Sequence, residues 1–194
     1  MPTVTRLRHT RPGWVAIELD GVRWRTLPAE AVVRAGLSVG RPLERPAAAV
    51  LARERRRLAA EDIAGKALAR REHTRAELEE RLRRRGVGEA AAEQALDAAA
   101  RTGAQSDTRA AHRRAEAMAG RGWGDEAIRA DLAGRGVAAE LADEAIAGLE
   151  PEVERARAQA ARLGHGLRAA QALARRGFSE ENIVTAVADM PEWG

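Results

Sequence analysis

Apolar residues recur at helical spacing through the second two-thirds of this chain, and one phrase is written three times. Each copy has two apolar residues four apart, an arginine-glycine pair, and then a large apolar residue. The copies are Leu78, Leu82 and Arg85-Gly86-Val87; Ile128, Leu132 and Arg135-Gly136-Val137; and Ala169, Leu173 and Arg176-Gly177-Phe178. A second amphipathic stretch follows at matching offsets, carrying Ala92, Ala95 and Leu96, then Ala142, Ala145 and Ile146, then Ile183, Ala186 and Val187. Offsets kept over so long a phrase mark an internal repeat. Glycine just past a helix C-cap supplies the left-handed residue that ends the helix, and the residue after it packs back on the residue five before. The pairs Val87 with Leu82, Val137 with Leu132 and Phe178 with Leu173 meet that demand. Thr74 and Glu77 form a capping box, so the first of these helices is predicted over 75–85.

Before the repeats the period changes. Trp14–Leu19 and Val22–Leu27 alternate apolar and polar residues around Asp20-Gly21, a pair suited to positive backbone angles, which predicts a β-hairpin. Pro28 opens and Gly36 closes a short helix over about 28–35, with Leu37 against Val32, and Gly40, Pro42 and Pro46 then interrupt the chain. A linking helix starts near Pro46 and runs through Val50, Leu51 and Leu58, with Arg53, Arg55, Arg56 and Arg57 on its exposed face. From residue 61 each repeat has a leading helix ahead of its hinged pair. The first carries Ile63, Ala64, Ala67 and Leu68; the second follows Asp107 as N-cap with Ala111, Ala115 and Met118; the third starts at Pro151 with Val153, Ala156, Ala160 and Leu163. The hinge glycines are 50 and then 41 residues apart, the difference lying in the longer connection over 101–107. The expected organisation is a basic hairpin-plus-helix region over 1–60 and three-helix repeats over 61–103, 104–149 and 150–194.

Composition sharpens this picture. The 194 residues are 45% hydrophobic but only 3% aromatic, with alanine dominant, so one large core is excluded and small apolar faces must be buried by stacking on neighbours. The expected fold is mainly α, an elongated, right-angled or curved solenoid of three tandem three-helix repeats behind an N-terminal β-hairpin and short helices. No run of about eighteen apolar residues predicts a membrane span, the first twenty residues lack the apolar stretch of a signal peptide, and cysteine is absent. A cytoplasmic protein without membrane contact is expected.

Net charge is +4, but residues 1–60 hold twelve arginines against five acids, so the amino-terminal third is the basic part. Lys66 is the only lysine. Arginine and alanine excess also follows from GC-rich coding, so arginine position, not identity, bears on function.

The run Ala69-Arg70-Arg71-Glu72-His73-Thr74-Arg75-Ala76-Glu77-Leu78, with Leu82, Gly86 and Val87, resembles the signature of the RecX regulatory proteins, modulators of the RecA recombinase. The hairpin, the short helix ending in Gly36-Leu37 and the three tandem repeats agree with that family across nearly the whole chain. Between the first two repeats Gly103, Asp107 and Arg109 fit, whereas Ala104, Gln105 and Ala110 stand where the family carries large apolar residues. The resemblance implies a protein without enzymatic activity that lies in or along the groove of the RecA filament on single-stranded DNA and inhibits its assembly, ATP hydrolysis and strand exchange. Several weak contacts would add through multivalency. Acids interleaved with the arginines suit protein contact first and weak direct DNA binding second, by a monomer.

The candidate contact residues are Arg70, Arg71, Arg75, Arg81, Arg84 and Arg85 around the signature, Arg113 and Arg114 on the second leading helix, and the hinge arginines Arg135 and Arg176. Competing roles are local: Glu77 with Arg81 and Glu80 with Arg84 are i,i+4 pairs worth about 0.3 kcal/mol each, and a hinge arginine also serves the negative end of its helix. Trp14 and Trp24 are expected to cover the inner face of the hairpin, with stacking on a nucleobase the alternative, while Trp123 is either a helix staple or an exposed anchor. His9, His73, His112 and His165 are scattered, and no cysteine, carboxylate pair or glycine-rich phosphate loop accompanies them, so no metal, cofactor or catalytic site is expected. Two other classes fit the pattern: a helical DNA-binding module or transcription regulator, since paired helices joined by a glycine turn resemble a helix-turn-helix, and a scaffold, since Gly177-Phe178-Ser179-Glu180-Glu181 resembles the loop of ubiquitin-associated domains.

Overall fold

The computed structural model describes residues 1–164 and 166–188; His165 and Trp193 lie outside them. The described chain is mainly helical with a three-stranded antiparallel sheet at its amino end. It forms two compact units, Met1–Gly65 with Leu82–Ala99, and Lys66–Arg81 with the chain from Ala100 onward.

In the first unit, β1 (Val4–Arg11), β2 (Trp14–Leu19) and β3 (Val22–Pro28) pair in the order β1-β2-β3. Asp20 and Gly21 turn with φ of 49° and 79°, as the hairpin demands. Strand β1 is a third strand that the alternation does not announce. Its apolar residues Val4 and Leu7 are three apart, and only a register slip between Val4 and Arg6 sets both on the core side. A second slip, between Ile17 and Glu18, leaves Trp24 outside the paired register, packed against the core of Val15, Ile17, Leu27, Val32, Leu43 and Leu51. Trp14 does not join that core; it lies half-buried on the opposite face. Helix α1 (Ala29–Arg34) ends at Gly36 with φ 64°, and the Leu37 amide donates to Val32 O at 3.2 Å. Helix α2 (Arg45–Leu68) runs without interruption where the sequence separates a linking helix from a leading one at 60/61, because Ala59-Ala60-Glu61-Asp62 holds nothing that stops a helix. Helix α4 (Glu89–Arg101) buries Ala92, Ala95 and Leu96.

The second unit holds most of α3 (Arg75–Arg84), then α5 (Asp107–Ala119), α6 (Asp125–Gly134), α7 (Ala139–Ala147), α8 (Glu152–Leu163), α9 (Gly166–Ala174) and α10 (Glu180–Ala188). Helices α5, α6 and α7 share a core of Ala111, Ala115, Met118, Ile128, Leu132, Val137, Ala142, Ala145 and Ile146. A separate core of Ala156, Ala160, Leu173, Phe178, Ile183 and Ala186 serves α8, α9 and α10. At the positions that depart from the family pattern, Ala110 is buried, and buried Gln105 donates to Asp107 Oδ1 at 2.7 Å and to His73 O at 3.4 Å.

All three hinges close as predicted. Gly86, Gly136 and Gly177 have φ of 71°, 74° and 72°, and the amides of Val87, Val137 and Phe178 donate to the carbonyls of Leu82, Leu132 and Leu173 at 3.1, 3.1 and 3.3 Å. Surroundings then distinguish them. A Cβ on Gly86 would meet nothing within 4 Å, one on Gly136 would lie 2.6 Å from Ala76 Cβ, and one on Gly177 would lie 2.6 Å from both Cβ and the amide nitrogen of Ala127. We expect Gly86→Ala to cost about 1 kcal/mol for the left-handed backbone alone. Gly177→Ala should cost about 3 kcal/mol or more, because the overlap includes backbone that cannot swing away. Urea unfolding of the two variants checks this order, and equal losses would refute it.

Candidate functional site

The signature region is built from one contact that occurs twice in the second unit, in which the C-cap of one hinged helix docks on the N-terminus of the hinged helix one repeat earlier. Thr74 Oγ1, at the N-cap of α3, donates to Arg135 O at the C-cap of α6 at 2.7 Å. At the N-terminus of α6, the Gly124 amide donates to Arg176 O at 2.8 Å and the Glu126 amide to Gly177 O at 3.1 Å. Carbonyls left over at one helix end thereby satisfy donors left over at another.

An acidic residue opening each following leading helix bolts this contact. Asp107 is the first residue of α5, not its N-cap; Ser106 is the cap, accepting from the Arg109 amide at 3.3 Å. Asp107 is thereby free to cap α3, accepting from the Arg75 amide at 2.7 Å. Glu152, first in α8, does the same for α6 by accepting from the Asp125 amide at 2.6 Å, and its other oxygen takes Ser179 Oγ at 2.8 Å and Asn182 Nδ2 at 2.6 Å. Burial alone would raise the Glu152 carboxyl; the Asp125 amide, Asn182 and Ser179 outweigh it and hold it below the ordinary glutamate value. Arg155 is buried beside it, donating to Trp123 O and Glu150 O at 2.9 Å each and pairing with Asp125. Arg109 has the corresponding place one repeat earlier, donating to Gly103 O at 2.9 Å and to Glu72 at 3.0 Å. Sequence reasoning missed these bolts, although an acid at the first position of both leading helices was their signal.

Beside the first bolt lies a cleft of about 530 Å³ lined by Arg71, Arg113, Arg114 and Arg135, four of the ten candidate arginines, with Glu72, Thr74, Glu77 and an apolar patch of Ala110, Ala117 and Leu132. Glu77 closes the capping box with Thr74, its carboxylate accepting from the Thr74 amide at 3.2 Å and its amide donating to Thr74 Oγ1 at 3.1 Å, while also binding Arg71 at 3.0 Å and pairing with Arg135. Burial pushes its carboxyl up, but Arg71, the Thr74 amide and the charge of Arg135 together bring it below the ordinary value. Asp131 accepts from Arg114 at 2.6 Å and from Arg135 at 2.6 Å, and the Arg114 bond is the main reason its carboxyl falls far below the usual range. Buried His73 has Nδ1 3.2 Å from Glu77 Oε2 without hydrogen-bond geometry, and burial, then the charge of Arg71, lowers its pKa.

The candidate arginines therefore divide. Arg114 and Arg135 form the floor of the cleft and are neutralised there, Arg71 holds Glu77 while staying 55% exposed, and Arg113 stands 77% exposed with Glu116 no nearer than 3.9 Å. Arg176 donates to Gln159 at 2.9 Å, and Arg81 Nε is buried without a hydrogen-bond partner. Arg70, Arg84 and Arg85 are exposed and Arg75 half-buried, so the cleft does not gather them. Of the hinge arginines, Arg135 pairs with Glu77 and Asp131, and Arg176 binds Gln159. Trp123 is 38% exposed and follows Gly122, whose φ of 80° ends α5 in the same left-handed manner as the hinges. Among the described residues no group of three metal-ligating side chains occurs, and no helix is long and apolar enough to cross a membrane.

Two family models match the chain: the first three-helix domain of RecX over residues 60–97 and the second over 106–146. These two stretches are RecX three-helix domains. Among solved structures it is similar to "regulatory protein RecX", with a TM-score of 0.79 at 19% identity over 98% of this chain and 100% of that one. It is also similar to RecX from Lactobacillus salivarius, with a TM-score of 0.63 at 20% identity over 69% of this chain and 96% of that one. No curated protein matches it. The two domain matches support a RecX regulatory role.

The three depressed carboxyls, Glu77, Asp131 and Glu152, set a pH dependence. A group whose pKa is lower folded than unfolded stabilises above its unfolded value and loses that contribution as pH falls. We expect Asp131→Asn to cost about 2 kcal/mol near pH 7 by leaving Arg114 and Arg135 without their shared acceptor. The deficit should shrink as pH drops below 3.8, the ordinary aspartate value. Urea unfolding between pH 7 and pH 3 measures it, and a deficit constant across that range would contradict the assignment.

Proposed function

We propose that this protein binds the RecA recombinase filament on single-stranded DNA and inhibits its assembly, ATP hydrolysis and strand exchange, as a cytoplasmic modulator of recombination, DNA repair and the SOS response. The observation that carries the reading is the match to two RecX domain models. The repeats, taken as modules over 61–103, 104–149 and 150–194, support it physically. Capping contacts fix the spacing between successive modules in the second unit, and fixed spacing lets several weak contacts to a polymeric partner add.

The cleft is the proposed contact, with Arg71 and Arg113 offering guanidinium groups at its rim and exposed Ala117 offering an apolar spot beside them. Its floor arginines hold the protein together, so the exposed rim meets the partner. Charges at a rim act mainly on association rate and salt dependence.

Single-strand-dependent ATP hydrolysis by the cognate recombinase, titrated with this protein below one copy per recombinase monomer, tests the reading. Inhibition at those ratios is expected, and Arg113→Glu should shift the midpoint about tenfold while leaving unfolding midpoints unchanged. No inhibition together with no co-sedimentation on the filament would overturn it.

A further inference from the structure

The amino-terminal sheet has a second face, opposite the one that packs in the core. Cross-strand pairing sets Arg6 opposite Glu18, Arg8 opposite Ala16 and Arg11 opposite Trp14, and on the far side Trp14 faces Pro28, Ala16 faces Thr26 and Glu18 faces Arg23. Partners across a ladder point to the same side, so Arg6, Arg8, Arg11, Trp14, Thr26 and Arg23 share one face. Leu7, Val15, Ile17 and Leu27 take the other face and pack in the core. All four arginines on the outer face are exposed, against Glu18 as its acid, and Arg6 approaches Glu18 only to 3.9 Å. The Arg11 guanidinium lies over the Trp14 ring, 4.2 Å from its centroid.

We propose that this face binds single-stranded nucleic acid, with Arg6, Arg8 and Arg23 meeting phosphates and the Arg11-Trp14 stack receiving an unpaired base. Two features point to a single strand. A stacked guanidinium plane and an indole present π-faces, which only an unpaired base can meet, because the bases of a duplex are already stacked on one another. Arg6 and Arg8, two residues apart on an extended strand, are spaced by about 6.6 Å, which makes a row of cations that can track a backbone. The contrast with the cleft is chemical: its floor arginines are each matched by a carboxylate, whereas the sheet face carries one loosely placed acid among four guanidinium groups. None of these residues is among the ten candidate arginines. The inference is independent of the recombinase reading, because it requires no recombinase.

Anisotropy of a labelled oligothymidine of about twenty nucleotides, titrated with the full chain in the absence of recombinase, tests it. Arg6→Ser with Arg8→Ser, both exposed positions, should reduce the slope of log K against log salt by about 1.4, near 0.7 for each lost phosphate contact on a single strand. Trp14→Ala should weaken binding roughly 5- to 150-fold with the slope unchanged, and Trp14→Phe should restore most of the loss. Arg113→Glu should leave this binding as it is. No binding at 50 mM salt, equal competition by duplex of the same length, or an unchanged slope in the folded double-arginine variant would each overturn the proposal.

Discussion

The repeats of the second unit depend on one constraint: each hinged helix must end in a left-handed residue small enough for another helix to begin against it. At Gly136 and Gly177 the positive φ turns the chain, and the missing side chain admits Ala76 and Ala127 into the space a Cβ would fill. That approach brings the carbonyls of Arg135, Arg176 and Gly177 onto the donors of Thr74, Gly124 and Glu126. Opposite partial charges of two helix ends then face each other. Gly86 ends its helix in the same conformation with nothing packed against it, which separates the two demands: φ alone explains the glycine there, and close approach is added at the other two.

Acidic residues convert that contact into a lock. Asp107 and Glu152 open one helix while capping another, so each links the leading helix of a repeat to the hinged helix of the repeat before. Glu152 is the more deeply committed, with four donors on its two oxygens and Arg155 anchored alongside. Removing such a carboxylate would strand several buried donors at once, a larger loss than any one of its bonds. The locks sit at helix ends and leave the cores to alanine, which is how a chain with one phenylalanine and no tyrosine holds its repeats together.

Much of this was legible in the chain, because caps and hinges are local. Thr74 with Glu77, Asp20 with Gly21, and the three Arg-Gly-apolar triplets each act within a few residues, and each formed as its spacing required. What was hidden depended on parity or on distance. Strand β1 escaped because a slip between Val4 and Arg6 breaks the two-residue period, although Pro12-Gly13 marked the turn after it. Asp107 read as the cap of its own helix because proximity favours that choice, while the better-placed Ser106 was the cap and Asp107 served an amide 32 positions away. Trp14 and Trp24 read as one face of a hairpin, but the bulge at Trp24 sends the two rings to opposite sides. Gln105 read as a gap in the apolar pattern and proved to be a buried amide with both a carbonyl and a carboxylate to bind.

The structure also moves the weight of the signature. Glu72, His73, Thr74, Glu77, Asp107 and Arg109 are engaged in holding α3 to the elements around it, as are Arg71 and Arg135 through Glu77, while Arg114 ties α5 to α6 through Asp131. A run of residues so engaged preserves the fold, which agrees with a TM-score of 0.79 at 19% identity. Under the proposed function, partner recognition would come from side chains the scaffold leaves outward. In a scaffold whose cleft-floor arginines are bound by Glu77 and Asp131, only arginines with a loose or missing acid keep enough field to attract an anionic partner. Arg113 at the rim of the cleft and the arginine row on the sheet meet that condition, and Arg114 and Arg135, for all their place in the signature's neighbourhood, do not.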